Sequence, residues 1–457
     1  MTTLEHALEI IAGTQPLAHP RGNRIPFIVW RLTDLQGDDA ELEHTLRELD
    51  ARGIATVTTW HYGARDKDLP RCLHYAGILK RLGLPVVVNT TSVVNRFFNG
   101  DERTAHIDAD GNPFFDLSHS ERVKIGCPFA VEFRYQAIRA QVETYVKAHH
   151  ERGLPLDILI ADWEIDGPIE WNDAWTHAKR CTRCCKSIPD IDDFHAFQAA
   201  YRRIRNEMQR QCYADVVRSL YPNTLVGNYA EYPNDGRRHW YDYFEHPPKR
   251  EHPHTLDHLD PVRPWINGFA DTHYTFAMPV VYTWHRIHGW YPWPESDYRW
   301  FYSMLKVVTN SGRSAPAALP VISFVHWHTT SPPKNGSAAP QMSERAYSEL
   351  LWHMFLRGHD ALAMWCTDPE TLKETQLVQT VYAQALEHAE FLDKGTPVLF
   401  DVPAEPGTVV SALKLGKRLL VRRTDFRPDP TPVQVNIDGV SVAIPAEPGN
   451  CQILQLP

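Results

Sequence analysis

The stretch "LDILIADWE" (156–164) is an apolar run that ends in two carboxylates two residues apart. A run this rich in isoleucine and leucine is typical of a strand buried on both faces of a parallel sheet. Seven further runs of this kind cover 25–34, 53–63, 84–93, 224–232, 277–285, 319–328 and 359–366. Amphipathic stretches lie between most of them. Eight strand–helix units in series predict an α/β fold of the (β/α)₈ TIM-barrel type.

The competing architecture is a doubly wound open sheet. No Gly-rich phosphate loop follows any of the eight runs, which favours the barrel. After residue 395 the chain changes to short alternating strands with Pro- and Gly-rich turns, which predict a small all-β, sandwich-like domain. We therefore expect a barrel domain over 1–394 and a β-domain over 395–457. The segment 233–276 is rich in His, Pro and Asp and predicts a long loop.

Net charge, the length of apolar runs and the number of cysteines argue against several kinds of partner and protein class. A net charge of −9 and a pI near 6.2 argue against a nucleic-acid or anionic-membrane partner. No apolar run approaches the ~20 residues of a membrane span, and the N-terminus lacks a basic start and an apolar core of signal-peptide length. Eight cysteines in 457 residues are too sparse for a disulfide scaffold. These features predict a cytoplasmic protein without a membrane partner.

The carboxyl ends of the predicted strands are rich in functional side chains. Barrel enzymes place their chemistry at these ends. The residues found there are Trp30, Arg31, Asp34, Trp60, His61, Asn89, Asp162, Glu164, Asn228, Tyr229, Glu231, Tyr282, Trp284, His285, His326, Trp327, His328, Trp365 and Asp368. Asp166, just beyond the fourth strand, is a further predicted contact. Aromatic faces stack on sugar rings and the polar groups bond to hydroxyls, so the pattern predicts a carbohydrate substrate.

The two acids of the fourth strand predict the reaction. Side chains alternate along a strand, so Asp162 and Glu164 point to one face. Two carboxylates this close cannot both ionise cheaply in a poorly hydrated pocket, and one pKa rises. A carboxylic acid that keeps its proton near neutral pH is what cleavage of a glycosidic bond requires. We therefore predict a glycoside hydrolase with Glu164 and Asp162 as catalytic residues. A solvated acid pair at a loop entrance is the alternative.

This D-x-E resembles that of family 18 chitinases and, more closely, that of the hyaluronidase family. The stretch "DWEIDGPIEWNDAW" (162–175) is similar to a Trp-rich hyaluronidase segment, and "GNYAEYPND" (227–235) is similar to a tyrosine-rich end of strand five. The chain departs from the chitinase pattern at Ile160, where that family has Asp. It also lacks the Arg-Pro pair and the disulfides of secreted hyaluronidases.

The resemblance implies retaining, substrate-assisted cleavage. In that mechanism the 2-acetamido group of the substrate attacks the anomeric carbon, Glu164 donates the proton, and Asp162 orients and stabilises the acetamido nitrogen. By position, Tyr282 is expected to contact the acetamido carbonyl and Trp365 to form the floor of the subsite.

Two other mechanisms and one other class stay open. A conventional glycosidase could pair Glu164 with Glu231 or Asp166, or use Asp162 as the nucleophile. A barrel that binds carbohydrate without cleaving it is the alternative from another class. Adjacent carboxylates argue against it, since binding alone does not require them.

The segment "RCTRCCK" (180–186) raises the question of a structural metal. Cys181, Cys184 and Cys185 would need a fourth ligand, for which Cys212 or His177 is available. One such cluster without a second pair is a weak zinc signal. We therefore predict no metal and no cofactor.

The histidines at strand ends invite comparison with metal hydrolases. His326 and His328 form an H-x-H on the seventh strand, but the sequence shows no obvious carboxylate partners near them. Together with His61 they are predicted to bond to sugar hydroxyls as neutral imidazoles.

Overall fold

A computed structural model of the chain describes residues 2–63, 65–94, 97–98, 100–117, 124–163, 174–235, 268–283, 285–328 and 339–457. The chain forms two compact units. Unit 1 consists of Met1–Val57 and Ala277–Pro457, and unit 2 of Thr58–Phe276. No helix in the described part of the chain is both long and apolar enough to cross a membrane.

Within the described residues, eight parallel strands form one sheet. They are β1 (Phe27–Thr33), β2 (Ile54–Thr59), β3 (Val87–Asn89), β4 (Ile158–Ala161), β5 (Leu225–Asn228), β6 (Val280–Val281), β7 (Ile322–Val325) and β8 (Ala361–Met364). The order in the sheet is β5-β4-β3-β2-β1-β8-β7-β6. Strands that are consecutive in the chain are neighbours in the sheet, except β5 and β6, which stand at the two ends of this order. Strand β1 pairs with β8, and this is the strand order of a (β/α)₈ barrel. Each predicted run contains one of these strands, so the barrel prediction is confirmed.

Helices alternate with the strands. They are α1 (Thr3–Gly13), α2 (Asp39–Asp50), α3 (Arg65–Leu82), α4 (Thr91–Val94), α5 (Glu132–Glu151), α6 (Ala174–Arg180), α7 (Thr182–Ser187), α8 (Phe194–Gln209), α9 (Asp215–Leu220), α10 (Ser296–Ser314), α11 (Glu344–Leu356), α12 (Thr371–Ala385) and α13 (Ala389–Lys394). A π-helical turn spans Arg210–Ala214, and 3₁₀ turns span Glu102–Thr104, Pro128–Ala130, Gly268–Thr272, His285–Trp290, Asp368–Glu370 and Leu386–His388. A short hairpin pairs His106–Ile107 with Pro113–Phe114.

Local sequence explains these elements. Strand β4 reads Ile-Leu-Ile-Ala with all four residues buried, as expected for a parallel strand covered on both faces. Helix α2 begins where the Asp38 side chain accepts a hydrogen bond from the Glu41 N–H at 2.9 Å. Its buried leucines recur every three or four residues. The chain then turns into β2 through Gly53, whose φ of +78° favours glycine.

The C-terminal segment forms antiparallel sheets, as predicted. Its strands are β9 (Thr396–Pro397), β10 (Thr408–Leu415), β11 (Arg418–Asp425), β12 (Val433–Ile437), β13 (Val440–Ile444) and β14 (Cys451–Gln455). Four of them pair in the order β9-β10-β11-β14, and β12 pairs with β13. Their shared core contains Leu399, Val410, Ala412, Leu419, Val421, Ile437 and Ile444. The division into domains 1–394 and 395–457 stays a prediction, since all these strands belong to unit 1.

Candidate functional site

Three partly exposed aromatic residues of unit 1 lie at the carboxyl ends of its strands. We call Trp30, Tyr282 and Trp365 the aromatic platform. Tyr282 and Trp365 stack with ring centroids 6.0 Å apart and an interplanar angle of 26°. Trp30 and Tyr282 both contact the buried ring of Phe324, at 5.6 Å and 6.1 Å. The three rings are thus neighbours in the structure, and their contact with substrate stays a prediction.

The histidine that follows β7 is held beside this platform. His326 meets the Trp365 ring edge-on, with centroids 5.2 Å apart. Its Nδ1 lies 2.8 Å from Glu374 Oε2. Glu374 also accepts hydrogen bonds from the Trp327 backbone N–H and the Tyr347 hydroxyl, each at 2.8 Å. The expectation that the H-x-H lacks carboxylate partners is wrong, because Glu374 is such a partner. It was missed since it lies in α12 rather than on a strand.

A second carboxylate holds the other histidine. Glu370, in the turn before α12, accepts hydrogen bonds from His328 Nδ1 and, at 2.8 Å, from Thr367 Oγ1. Partial burial raises the pKa of Glu370, but the hydrogen bonds from His328 and Thr367 outweigh it and leave the pKa below its usual value. Glu370 Oε2 is also 3.7 Å from His326 Nε2. The two histidines thus share an acidic neighbour.

The remaining predicted residues of unit 1 have identifiable partners. Arg31 donates from Nε to the Cys366 carbonyl at 2.8 Å and pairs with the exposed Asp368 at 3.0 Å. The Trp327 indole N–H donates to the Met342 carbonyl at 2.8 Å. Trp284, predicted to bind substrate, lies outside the described residues.

The end of β4 is described only in part. Asp162 is half-buried and directly follows the last strand residue. Its backbone N–H donates to Thr91 Oγ1 at 2.8 Å, and Asn89 Oδ1 accepts from the Thr91 N–H at 3.0 Å. These bonds join the ends of β3 and β4. Glu164 and Asp166 lie outside the described residues, so the geometry of the acid pair stays a prediction.

Trp163, the residue after Asp162, is held in place by packing and by a hydrogen bond to β5. Trp163 is buried and stacks on Phe97 with centroids 5.1 Å apart. The backbone N–H of Trp163 donates to Asn228 Oδ1 at 2.9 Å. Asn228 is fully buried and Tyr229 is 4% exposed, so their placement is structural and adds no support to the predicted substrate contacts.

The carboxylate after β5 is clamped by two arginines. Glu231 is 2% exposed and forms a two-pronged ion pair with Arg202, one bond of which measures 3.0 Å. Arg205 Nε adds a contact of 3.3 Å. Both carboxylate oxygens are therefore occupied by guanidinium groups of α8. This placement does not support Glu231 as a substrate contact or as a nucleophile.

The end of β2 has one packed residue and one partly exposed residue. Trp60 has no exposed surface and stacks on Tyr145 at 4.9 Å with an interplanar angle of 12°. His61 is half-buried, and its carbonyl accepts from the Tyr145 hydroxyl at 3.0 Å. Trp60 is therefore a core residue, because the ring of Tyr145, in α5, covers it. Its predicted contact with substrate is not supported.

Sequence reasoning missed the groups that lie on helices. They are Tyr347, Glu370 and Glu374 in unit 1 and Arg202 and Arg205 in unit 2. Glu370 ends the 3₁₀ turn after β8 and Glu374 lies in the first turn of α12, and their E-x₃-E spacing was a usable signal.

One group of potential metal ligands stands out in unit 2. Among the described residues, His106, Cys127, Cys181 and Cys184 are the set of three or more ligating side chains close enough to share an ion. The sequence pointed to Cys181 and Cys184 but not to His106 or Cys127.

No protein-family model matches this chain, and no curated protein sequence matches it. Several solved structures are similar. An alpha-amylase from Lactobacillus plantarum superposes with a TM-score of 0.51 at 11% identity, covering 95% of this chain and 99% of that chain. Alpha-L-fucosidase isoenzyme 2 from Paenibacillus thiaminolyticus has a TM-score of 0.46 at 12% identity, covering 82% of this chain and 51% of that one. A beta-galactosidase from Halorubrum lacusprofundi has a TM-score of 0.48 at 12% identity, covering 81% and 59%.

These similarities concern the fold. The chain spans only 51% and 59% of the lengths of the fucosidase and the galactosidase. Over nearly its whole length it matches the alpha-amylase, which supports the barrel and the C-terminal sheets together. No comparison supports the hyaluronidase family in particular. The chain is thus distantly similar in fold to TIM-barrel glycoside hydrolases.

Proposed function

We propose that this protein is a glycoside hydrolase that cleaves an oligo- or polysaccharide. The observation that carries the proposal is the aromatic platform, because partly exposed stacked rings at the carboxyl ends of barrel strands suit the face of a sugar ring. His326, which is 2% exposed and held by Glu374, packs edge-on against Trp365 and helps to fix the position of that ring. The alpha-amylase with the same fold agrees with a carbohydrate substrate.

The proposed acid is Glu164, with Asp162 as its partner. Asp162 follows directly after β4, and alternation of side chains would turn Glu164 to the same face. A neighbouring negative charge raises the pKa of a carboxyl group, so Glu164 would hold a proton to give to the glycosidic oxygen. Asp162 would stay ionised and stabilise positive charge that develops on the substrate.

The placement of Glu231 favours substrate assistance over a Glu164–Glu231 pair. A nucleophile must approach the anomeric carbon with a free oxygen, whereas Glu231 is buried between Arg202 and Arg205. A 2-acetamido group on the substrate would supply the missing nucleophile, and the resemblance to the hyaluronidase family assigns Tyr282 to its carbonyl. Asp162 and Asp166 are the remaining nucleophiles for a conventional mechanism.

A panel of aryl glycosides tests this function. We expect hydrolysis of aryl β-N-acetylhexosaminides with retention of configuration, and little hydrolysis of the matching glucosides and galactosides. Replacing N-acetyl by N-trifluoroacetyl should slow the reaction, because the fluorinated carbonyl oxygen is a poorer nucleophile. Hydrolysis of the glucosides alone would overturn substrate assistance, and sugar binding without turnover of any glycoside would identify a carbohydrate-binding barrel.

A further inference from the structure

A buried cluster in unit 2 brings together three thiols and one imidazole from three separate places in the sequence. Cys181 and Cys184 flank the start of α7, Cys127 precedes a 3₁₀ turn, and His106 belongs to the short hairpin. The three cysteines have no exposed surface and His106 is 2% exposed. The reaction proposed above does not use any of them.

The separations match those of a tetrahedral metal site. Cys127 Sγ lies 3.6 Å from Cys184 Sγ, and Cys184 Sγ lies 3.9 Å from His106 Nδ1. All four potential ligand atoms lie within 4.8 Å of one another. Two sulfur ligands of a tetrahedral zinc ion are ~3.8 Å apart, and a sulfur and an imidazole nitrogen ~3.5 Å. The four atoms therefore surround a space of the size that one such ion occupies.

A tight turn and a close approach of two backbone segments bring these residues together. Cys181 and Cys184 form a C-x₂-C turn, closed by the Cys185 N–H donating to the Cys181 carbonyl at 2.9 Å. Gly126 passes so close to Thr104 that an added Cβ would lie 2.1 Å from the Thr104 carbonyl oxygen. The next residue, Cys127, donates its N–H to the same carbonyl at 2.7 Å. A side chain at position 126 would push Cys127 out of the cluster.

Neighbouring groups fix the orientation of the ligands. The ring of His106 stacks on Phe114 with centroids 5.1 Å apart. Arg183 Nη1 donates to the carbonyls of Arg103 and Ala105, each at 3.1 Å, which ties the C-x₂-C turn to the chain beside His106. The Tyr201 hydroxyl lies 3.5 Å from Cys184 Sγ, where it can donate to a metal-bound thiolate.

We propose that His106, Cys127, Cys181 and Cys184 bind one zinc ion in a closed Cys₃His structural site. Four protein ligands fill a tetrahedral shell, so no position stays open for water or substrate. Binding displaces the thiol protons, and the resulting thiolates supply the charge that the ion needs. This proposal replaces the sequence-based expectation of no metal.

The residues that the sequence suggested as a third and fourth ligand have other places in the structure. Cys185 is exposed, and its thiol donates to the Lys179 carbonyl at 3.2 Å. His177 Nδ1 lies 3.9 Å from Asp116. Cys212 contacts the Tyr135 carbonyl at 3.7 Å. The true completing ligands were missed because His106 and Cys127 are far from Cys184 in sequence and carry no motif of their own.

The site would join two excursions of the chain. One runs between β3 and α5 and carries His106 and Cys127; the other follows β4 and carries α6 and α7. Ala174, the first residue of α6, belongs to a hydrophobic cluster that also contains Cys127, Cys181 and Cys184. We therefore expect the metal to support the fold of α6 and α7, rather than to take part in chemistry.

Metal analysis of the wild-type protein tests the proposal without any substitution. Elemental analysis should find about one zinc ion per chain after purification without chelators. X-ray absorption should give three sulfur ligands at ~2.3 Å and one nitrogen at ~2.0 Å. Replacement by Co²⁺ should produce intense thiolate-to-cobalt charge-transfer bands. A zinc-free protein whose reduced thiols do not take up Zn²⁺, or a native disulfide between Cys127 and Cys184, would overturn the site.

Two neighbouring cysteines provide a matched pair of variants. Cys181→Ser should lower zinc content at least about tenfold, whereas Cys185→Ser should keep it, since Cys185 lies outside the cluster. His106→Cys should keep the metal and strengthen the cobalt charge-transfer bands. Full zinc retention in Cys181→Ser, or equal loss in Cys185→Ser, would contradict the assignment. If Cys181→Ser does not fold, the wild-type spectra still decide.

Discussion

Glu374 shows how a single buried side chain organises one side of the candidate site. It has no exposed surface, and burial raises its pKa above the usual value. His326, the Trp327 backbone and Tyr347 all direct hydrogen-bonding groups at its two oxygens. A carboxylate that accepts from three groups in a dry environment fixes all of them at once. His326 therefore presents Nε2 in a defined direction beside Trp365.

Removing this carboxylate should destabilise the protein. We expect Glu374→Ala to lower the free energy of unfolding by about 2–4 kcal/mol, because three buried hydrogen-bonding groups lose their acceptor. Glu370→Ala, at a partly exposed position, should cost less than about 1 kcal/mol. Urea denaturation of both variants gives the comparison. Equal losses would show that Glu374 does not organise this network.

Strand order predicted that Trp30, Tyr282 and Trp365 would be neighbours, and their rings do pack together. It did not predict that Trp60 and Asn228 would be buried. Glu231 is buried because two arginines of α8 bind its carboxylate. The pattern of residues along a strand does not predict such contacts from a helix. The same limit hid Glu374, whose partners become neighbours only in the folded chain.

Two helical glycines of the described structure have opposite environments. Gly312, in α10, passes the backbone after α11 so closely that an added Cβ would lie 2.0 Å from the Arg357 carbonyl oxygen. Gly77, in α3, has open space at the same position. Helix propensity alone favours alanine at both sites.

The two glycines should therefore respond with opposite sign. Gly77→Ala should raise the free energy of unfolding by about 0.5–1 kcal/mol, because alanine loses less backbone entropy on folding. Gly312→Ala should lower it by about 1–3 kcal/mol, because carbonyl and methyl cannot share the space. Thermal or urea unfolding of the two variants tests this directly. Stabilisation by both substitutions would show that α10 does not approach Arg357 so closely.

Strand existence could be predicted from the sequence, but strand length could not. The run 277–285 yields only the two residues of β6, because Pro279 has no N–H to continue the ladder on its own side. Its carbonyl still accepts from the Phe324 N–H at 2.9 Å. The pairing that follows a proline depends on the neighbouring strand, which a single run of sequence does not contain.

Both units contain histidines buried in the neutral state. Burial lowers the pKa of His149, in unit 2, to about 4. Burial also lowers the pKa of His359, in unit 1, to about 4, and holds that of His353 well below its usual value. His353 bonds to Ser411 and Thr424 of the C-terminal strands at 2.7 and 3.0 Å. Protonation would place a charge in each of these sites.

The protein should therefore lose stability in mild acid. In the unfolded chain His149 and His359 take up a proton near pH 6.5, and in the folded protein only near pH 4. Their contribution to stability is therefore complete above about pH 6.5 and falls as the pH approaches 4. His149 and His359 should each cost about 2 kcal/mol between about pH 7.5 and about pH 5.

Urea denaturation at these two pH values checks this expectation. His149→Gln should flatten the pH dependence, while His44→Gln, at an exposed position, should leave it unchanged. An unchanged pH dependence in His149→Gln would mean that folding does not lower the pKa of His149.

The proposed reaction depends on one proton, on Glu164, and the effect of the leaving group on the rate shows whether that proton is used. Glu164→Gln should lower kcat by about 10²–10⁴ for a glycoside with a poor leaving group, which needs protonation, and far less for a dinitrophenyl glycoside, which does not. The variant should still bind the sugar, and Asp166→Asn should keep most of its activity. Full activity of Glu164→Gln on the poor leaving group would contradict the account.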